Sequence, residues 1–269
     1  MNGGMYMFTV AVNSGWFKCD EYEKFNEAAK RGFKAMEMLI WAKLDLARVR
    51  REIDKTGVAV SAILTQTTDP EKQKAMSALR GIVNEEARDL FLEMLRETIQ
   101  AAKTLGTKNI VVTTGNEMEG KPRASQHDSI VKALKAAAPL VEAAGMKIVV
   151  EPLNVLVNHK GYYLSTMAES VEIMDEVASP NVQILYDVYH QQITEGNLIN
   201  NIRTHISRIG HFHVADVPGR QEPGTGEINY RNVFRAIRET GFDGFVAFEC
   251  MLSMDVDTVC ARMREMLEY

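Results

Sequence analysis

The sequence predicts a closed (β/α)₈ barrel. Short apolar runs with β character alternate eight times with longer amphipathic stretches, and no linker or low-complexity segment interrupts the alternation. Gly32, Gly57, Gly106, Gly145 and Gly241 each stand just past a helical stretch and before the next run, where a left-handed helix stop is expected. A chain of 269 residues, 46% hydrophobic and 25% charged, is long enough to close one such barrel, so a single domain over 1–269 is expected. A doubly wound open sheet is the competing arrangement, but no glycine-rich phosphate turn follows the first run. The repeat is one of structure only, with no sequence period behind it.

The runs are Phe8–Val12, Ala35–Leu39, Val58–Leu64, Asn109–Thr113, Lys147–Glu151, Val182–Asp187, Gly210–Val214 and Phe245–Glu249. Helical patterns between them include Glu21–Arg31, Asp45–Lys55, Glu85–Leu105, Ser125–Ala144, Thr166–Val177 and Asn232–Thr240, with a last helix over Asp255–Leu267. Alternate strand residues in a barrel point inward. In the eighth run Phe245, Ala247 and Glu249 take the inward parity, and Val246 and Phe248 face the helices. In the sixth, Leu185 and Asp187 point inward, Ile184 and Tyr186 outward. Glu151 falls in line with Val149, and His213 with His211.

Glu151, Asp187, His213 and Glu249 therefore end four successive runs and aim into the C-terminal mouth, where such barrels place their chemistry. One acid at a strand end has an ordinary explanation, as a cap of the next helix or the partner of a lysine or arginine. Four converging from successive strands would repel one another unless a divalent cation neutralised them. Three carboxylates and one imidazole form a hard donor set that suits manganese, with magnesium or cobalt as alternatives. An octahedral ion so held keeps positions for two substrate oxygens and can polarise a carbonyl. Glu151 and Glu249 come from different sides of the mouth and can remove a proton beside that carbonyl and return one to the neighbouring carbon.

Composition narrows the classes. A net charge of −5 offers no basic surface for nucleic acid or an anionic membrane, and no apolar run approaches the roughly 20 residues of a membrane span. Met1 to Val12 has no leader pattern. Cys19, Cys250 and Cys260 lack metal or redox spacing and leave an odd thiol, which fits a reducing compartment, so a cytoplasmic protein is expected.

The stretch Glu151-Pro152-Leu153-Asn154, the segment Tyr186-Asp187-Val188-Tyr189-His190, and the long run from Gly210 to Tyr230, most specifically from His213 on, resemble the hydroxypyruvate isomerase family. That family belongs to the xylose isomerase-like barrels, together with the ketose 3-epimerases. The resemblance covers the second half of the chain strongly, from about Lys147 to Cys250, and the first half in overall pattern. It implies Glu151, Asp187, His213 and Glu249 as metal ligands and the two glutamates as the acid–base pair. His190 matches a residue that touches substrate oxygens, and Arg220 an arginine that reaches the substrate from the loop after the seventh run. The substrate implied is a small polar carbohydrate or hydroxy-keto acid, interconverted through an enediolate, with association into homo-oligomers open. Departures are visible. Histidine at 213 follows the epimerases where hydroxypyruvate isomerases carry glutamine. Cys250-Met251-Leu252 replaces the usual aromatic-lysine-proline sequence, and Thr65 to Val83 has no tryptophan. Val157 stands where the epimerases place a glutamate.

Of the remaining residues, His211 reads as lining the core beneath His213, and Glu37, which shares the inward parity of the second run, as a buried structural acid. Asn158, His159 and Lys160 could contact the far end of a substrate or form a solvated loop, and Trp16, Phe17 and Trp41 could wall the pocket or simply pack. Gly224, Gly226 and Asn229 look structural, Asn229 as a helix cap. Glu222 and Glu227 argue for an unphosphorylated substrate. Met36/Met38 and Met263/Met266 read as packing. An abasic-site endonuclease, which would call for more histidines and a basic face, and a non-catalytic sugar-binding barrel are the remaining alternatives.

Overall fold

A computed structural model describes residues 8–268. The expectation that no leader is present rests in part on residues 1–7 and lies outside them. The strands are β1 (Thr9–Asn13), β2 (Ala35–Glu37), β3 (Ala59–Val60), β4 (Ala62–Leu64), β5 (Asn109–Val112), β6 (Lys147–Val150), β7 (Val182–Asp187), β8 (Ile209–His213) and β9 (Phe245–Phe248). All pair in parallel, in the order β3-β2-β1-β9-β8-β7-β6-β5-β4. The ends of that order, β3 and β4, are halves of one run divided at Ser61, so the sheet returns on itself as a barrel.

The helices are α1 (Lys24–Lys30), α2 (Leu46–Thr56), α3 (Pro70–Ala78), α4 (Arg88–Leu105), α5 (Arg123–Ala144), α6 (Met167–Val177), α7 (Val188–Thr194), α8 (Leu198–His205), α9 (Tyr230–Glu239) and α10 (Val256–Leu267). The five glycines read as stops all adopt positive φ. Helices α3, α7 and α8 fall outside the patterns read from the sequence. Helix α3 buries no side chain and so has no apolar stripe to detect. It is held by the Asp69 cap, with a proline in its first turn. No described helix is long and apolar enough to cross a membrane.

The inward parity is as expected. Ala62, Val111, Val149 and Leu185 form one interior cluster, and Ala11, Ala35, Ala247 and Phe245 another. Ile184, Tyr186, Val246 and Phe248 join the larger layer between sheet and helices, where each buried side chain of this size contributes about 1.5–3 kcal/mol. Met36 and Met38 are buried at β2. The third run is one strand in sequence but is broken at Ser61, whose hydroxyl donates to Glu37 Oε1 at 3.1 Å.

Candidate functional site

The register of the sheet brings the four strand-end residues together. Asp187 and His213 are direct partners across β7 and β8, and His213 stands opposite Ala247, two residues before Glu249. Glu151 and Glu249 each lie one residue past their strand. One ligand atom from each of Glu151, Asp187, His213 and Glu249 lies within 4.8 Å of all the others. His213 Nδ1 is 3.4 Å from Glu151 Oε1 and 3.1 Å from Glu249 Oε2. Asp187 has a double task. Its Oδ1 caps α7 by accepting from the backbone N–H of Tyr189 at 2.8 Å and of His190 at 3.3 Å, while Oδ2 faces His190 and Arg220. The helix-cap reading of a strand-end acid and the cluster reading are both true of this residue.

The electrostatics describe a site short of positive charge. Burial, then the negative charges of Glu249 and Asp187, outweigh the help of His213 and push the Glu151 carboxyl up to about 7. Burial would also raise Asp187, but the charges of His190, Arg220 and His213 prevail and hold it below its ordinary value. Burial disfavours a charged His213 ring, yet Glu37, Glu249 and Glu151 together raise it well above the ordinary range. Glu151 Oε1 and His213 Nδ1 are buried without a hydrogen-bond partner. Unpartnered donor atoms gathered among carboxylates are what a bound divalent cation would complete, so these side chains fit such an ion.

Beneath this cluster lies a second, wholly buried one. Glu37 Oε1 accepts from His211 Nε2 at 3.0 Å. Its Oε2 is 2.7 Å from His213 Nε2, an ionic contact off hydrogen-bond alignment. Asn109 donates its amide to Ser61 O at 3.2 Å and faces His211 Nδ1 at 3.4 Å. Burial opposes the Glu37 charge, but both imidazoles outweigh it and hold the carboxyl far below the carboxylate range. Glu37 and His211 are thus each structural, as the sequence suggested; their pairing is seen only in the structure, and Glu37 braces the far side of the His213 ring.

Arg220 is in the cluster itself. It donates to Glu249 Oε2 at 2.5 Å and stands 3.4 Å from Asp187 Oδ2. It also lies over the Tyr189 ring, 5.4 Å from the centroid. His190 is fully buried, its Nε2 3.5 Å from Asp187 Oδ2. Burial, followed by Arg220 and His159, overcomes Asp187 and lowers its ring to about 4. Of the loop residues, Asn158 accepts from Asn154 and from the Tyr189 hydroxyl, and His159 packs edge-on against His190. Trp16 and Trp41 donate their indole N–H groups to Cys250 O and Leu64 O, which anchors them as packing. A cavity of about 630 Å³ opens beside Glu249, among Asn13, Leu39, Ile40 and Leu64.

Sequence reasoning misses three supports: Asp216, Tyr162, and the tie made by Glu222, which reads in the sequence only as a charge disfavouring a phosphate. Buried Asp216 accepts from the backbone N–H of Val217, Gly224 and Ile228 at 2.9, 2.8 and 3.1 Å, and so shapes the loop that carries Arg220. Its signal was an aspartate ahead of a proline- and glycine-rich stretch. Tyr162 donates to the backbone carbonyl of Glu151 at 3.0 Å. Glu222 is buried and committed to Ser253 N at 2.8 Å and Ser253 Oγ at 2.6 Å, tying the loop that follows β8 to the loop that follows β9. Asn229 caps α9 as expected. A Cβ on Gly226 would meet Val217 O at 2.0 Å, which accounts for that glycine.

A family model described as a xylose isomerase-like TIM barrel matches residues 25–264. The chain is 27% identical over 246 residues to hydroxypyruvate isomerase of Escherichia coli (strain K12), covering 91% of this chain and 93% of that one. It is 29% identical over 228 residues to 2-oxo-tetronate isomerase of Cupriavidus necator, covering 84% and 85%. Among solved structures, AP endonuclease, family 2, from Brucella melitensis superposes with a TM-score of 0.87 at 25% identity, over 96% of this chain and 98% of the other. The chain belongs to the xylose isomerase-like TIM barrel family, in its hydroxypyruvate isomerase-like group.

Proposed function

We propose that this protein is a divalent-metal-dependent isomerase of a small sugar or hydroxy-keto acid, with Glu151, Asp187, His213 and Glu249 as the ligands. The observation that carries the reading is the convergence of these four side chains within 4.8 Å, two of them with buried ligand atoms that lack a hydrogen-bond partner. Manganese suits the donor set best, with magnesium and cobalt as alternatives. When bound, such an ion supplies a Lewis acid that polarises the substrate carbonyl.

The residues divide the remaining work. Glu151 and Glu249 are the acid–base pair. One accepts the proton from the hydroxyl-bearing carbon, giving an enediolate, the other returns a proton to the former carbonyl carbon, and the hydroxyl proton passes to the former carbonyl oxygen, so that the proton count is unchanged. Arg220, fixed by two carboxylates, offers a guanidinium to the developing negative charge or to a substrate carboxylate. His190 contacts substrate oxygens from the β7 side. Glu37 and His211, both fully buried, form the floor of the mouth beneath the reacting groups. The substrate is unphosphorylated in this reading, since the Asn229 side chain caps α9 and Glu227, two residues before it, adds negative charge near that helix start.

A ketose 3-epimerase is the second reading, favoured by histidine at 213. Solvent deuterium incorporation together with product chirality on a ketose panel separates the two. An abasic-site endonuclease is disfavoured by the net charge of −5 and by the six histidines of the chain, of which His127 and His205 stand apart from the mouth. Glu151→Gln and Glu249→Gln should each abolish turnover of hydroxypyruvate or ketoses with the far-ultraviolet circular dichroism unchanged. Near-full activity of either variant would contradict the assignment of roles.

A further inference from the structure

We infer that Asn154 is a positioning residue that fixes the His190 ring with a bare Nδ1 and its proton on Nε2, so that a buried N–H donor faces Asp187 and the barrel mouth. Two donors converge on Nδ1. The backbone N–H of Asn154 lies 3.3 Å away and its side-chain Nδ2 2.6 Å away. A backbone N–H can only donate, so Nδ1 must accept.

The orientation of the Asn154 amide agrees on separate grounds. Its Oδ1 accepts from the backbone N–H of Val157 at 2.9 Å and of Asn158 at 3.2 Å. That leaves the NH₂ end toward the ring. Nδ2 also donates to Asn158 Oδ1 at 3.0 Å, the same oxygen that accepts the Tyr189 hydroxyl at 2.8 Å. Reversing the Asn154 amide would lose its bonds to Val157, Asn158 and the His190 ring at once. The rings of His159 and Tyr189 pack edge-on at 5.1 and 5.3 Å and hold the plane of the imidazole. A ring with Nδ1 accepting carries its proton on Nε2, and that atom is buried without a hydrogen-bond partner.

The consequence for catalysis rests on the isomerase reading. An Nε2 that donates can stabilise a substrate oxygen on which negative charge develops. It cannot accept the carbon-bound proton, so proton transfer stays with Glu151 and Glu249. Asn154 sets this role without touching the substrate.

The test uses the full chain labelled with ¹⁵N-histidine, with His190→Asn to identify the resonance. The free protein should show His190 protonated at Nε2 and bare at Nδ1. Asn154→Asp places a carboxylate oxygen beside Nδ1 and should draw a proton onto it, with kcat falling on the order of a hundredfold and KM changing less. Asn154→Ala keeps the backbone donor and should keep the Nε2 proton, with a smaller loss of kcat. A purely structural role in the loop predicts the opposite order, because aspartate retains the bonds to Val157 and Asn158 and alanine loses them. A proton on Nδ1 in the unmodified protein, or an aspartate variant more active than the alanine one, would overturn the inference. The tautomer is read without substrate, so failure to turn over any hydroxy-carbonyl compound would count against the isomerase reading alone.

Discussion

Glu37 Oε2 stands 2.7 Å from His213 Nε2, on the face of the ring opposite the carboxylates of Glu151 and Glu249. A histidine whose second nitrogen meets a buried carboxylate is oriented and made more basic toward a metal. Glu37→Gln removes that charge and should weaken Mn²⁺ binding by about 10- to 100-fold in a direct titration. Glu37→Ala leaves two buried imidazoles without their partner and should cost on the order of 3–5 kcal/mol in denaturant unfolding.

The Glu151 carboxyl gives metal binding a pH dependence. Its value of about 7 in the free protein lies above the ordinary 4.5. Below 4.5 the group is neutral folded or unfolded and costs nothing. From there to about 7 the folded form must keep a proton that the unfolded chain releases, so this group lowers the stability of the free protein as pH rises through that window. Binding a cation needs the carboxylate. Below pH 7 the apparent affinity should drop by roughly tenfold per pH unit through this group. Calorimetry at pH 6 in two buffers of different ionisation enthalpy should find more than one proton released per ion, since both the Glu151 carboxyl and the His213 ring must lose a proton to ligate; no release would contradict the shift.

Arg220 pairs with two of the proposed ligands, Asp187 and Glu249. Arg220→Met should therefore leave metal affinity equal or higher, because a competing cation is gone, while kcat/KM falls by at least tenfold. A loss of metal affinity would mean that the guanidinium orders the ligands instead of competing for them.

The loop behind Arg220 depends on Asp216. Asp216→Ala leaves the N–H groups of Val217, Gly224 and Ile228 without their acceptor and should cost about 1–3 kcal/mol in thermal or denaturant unfolding. The same variant should lower kcat through Arg220. Gly226→Ala should resemble it, since the added methyl meets the Val217 carbonyl.

What was legible in the sequence was whatever periodicity carries. Buried parallel strands read as apolar runs, inward and outward positions alternate along them, and glycines past the helices mark the turns. That located Glu151, Asp187, His213 and Glu249 at one rim. Asn154, Tyr162 and Asp216 were not legible as supports because their partners are backbone groups or residues on other loops, which no spacing encodes. Glu37 could be assigned to the interior by parity, but its meeting with His211 and His213 depends on how the strands close around the barrel. The division at Ser61 was hidden for the same reason, since it falls where the run changes partner, from β2 before it to β5 beyond it.

The most direct measurement is the anomalous scattering of crystals grown with Mn²⁺. A single peak should appear among Glu151 Oε1, the Asp187 carboxylate, His213 Nδ1 and Glu249, with no second one beside Glu37 and His211. If the four side chains turn away from one another and no ion lies between them, the proposed chemistry has no centre and the account is wrong.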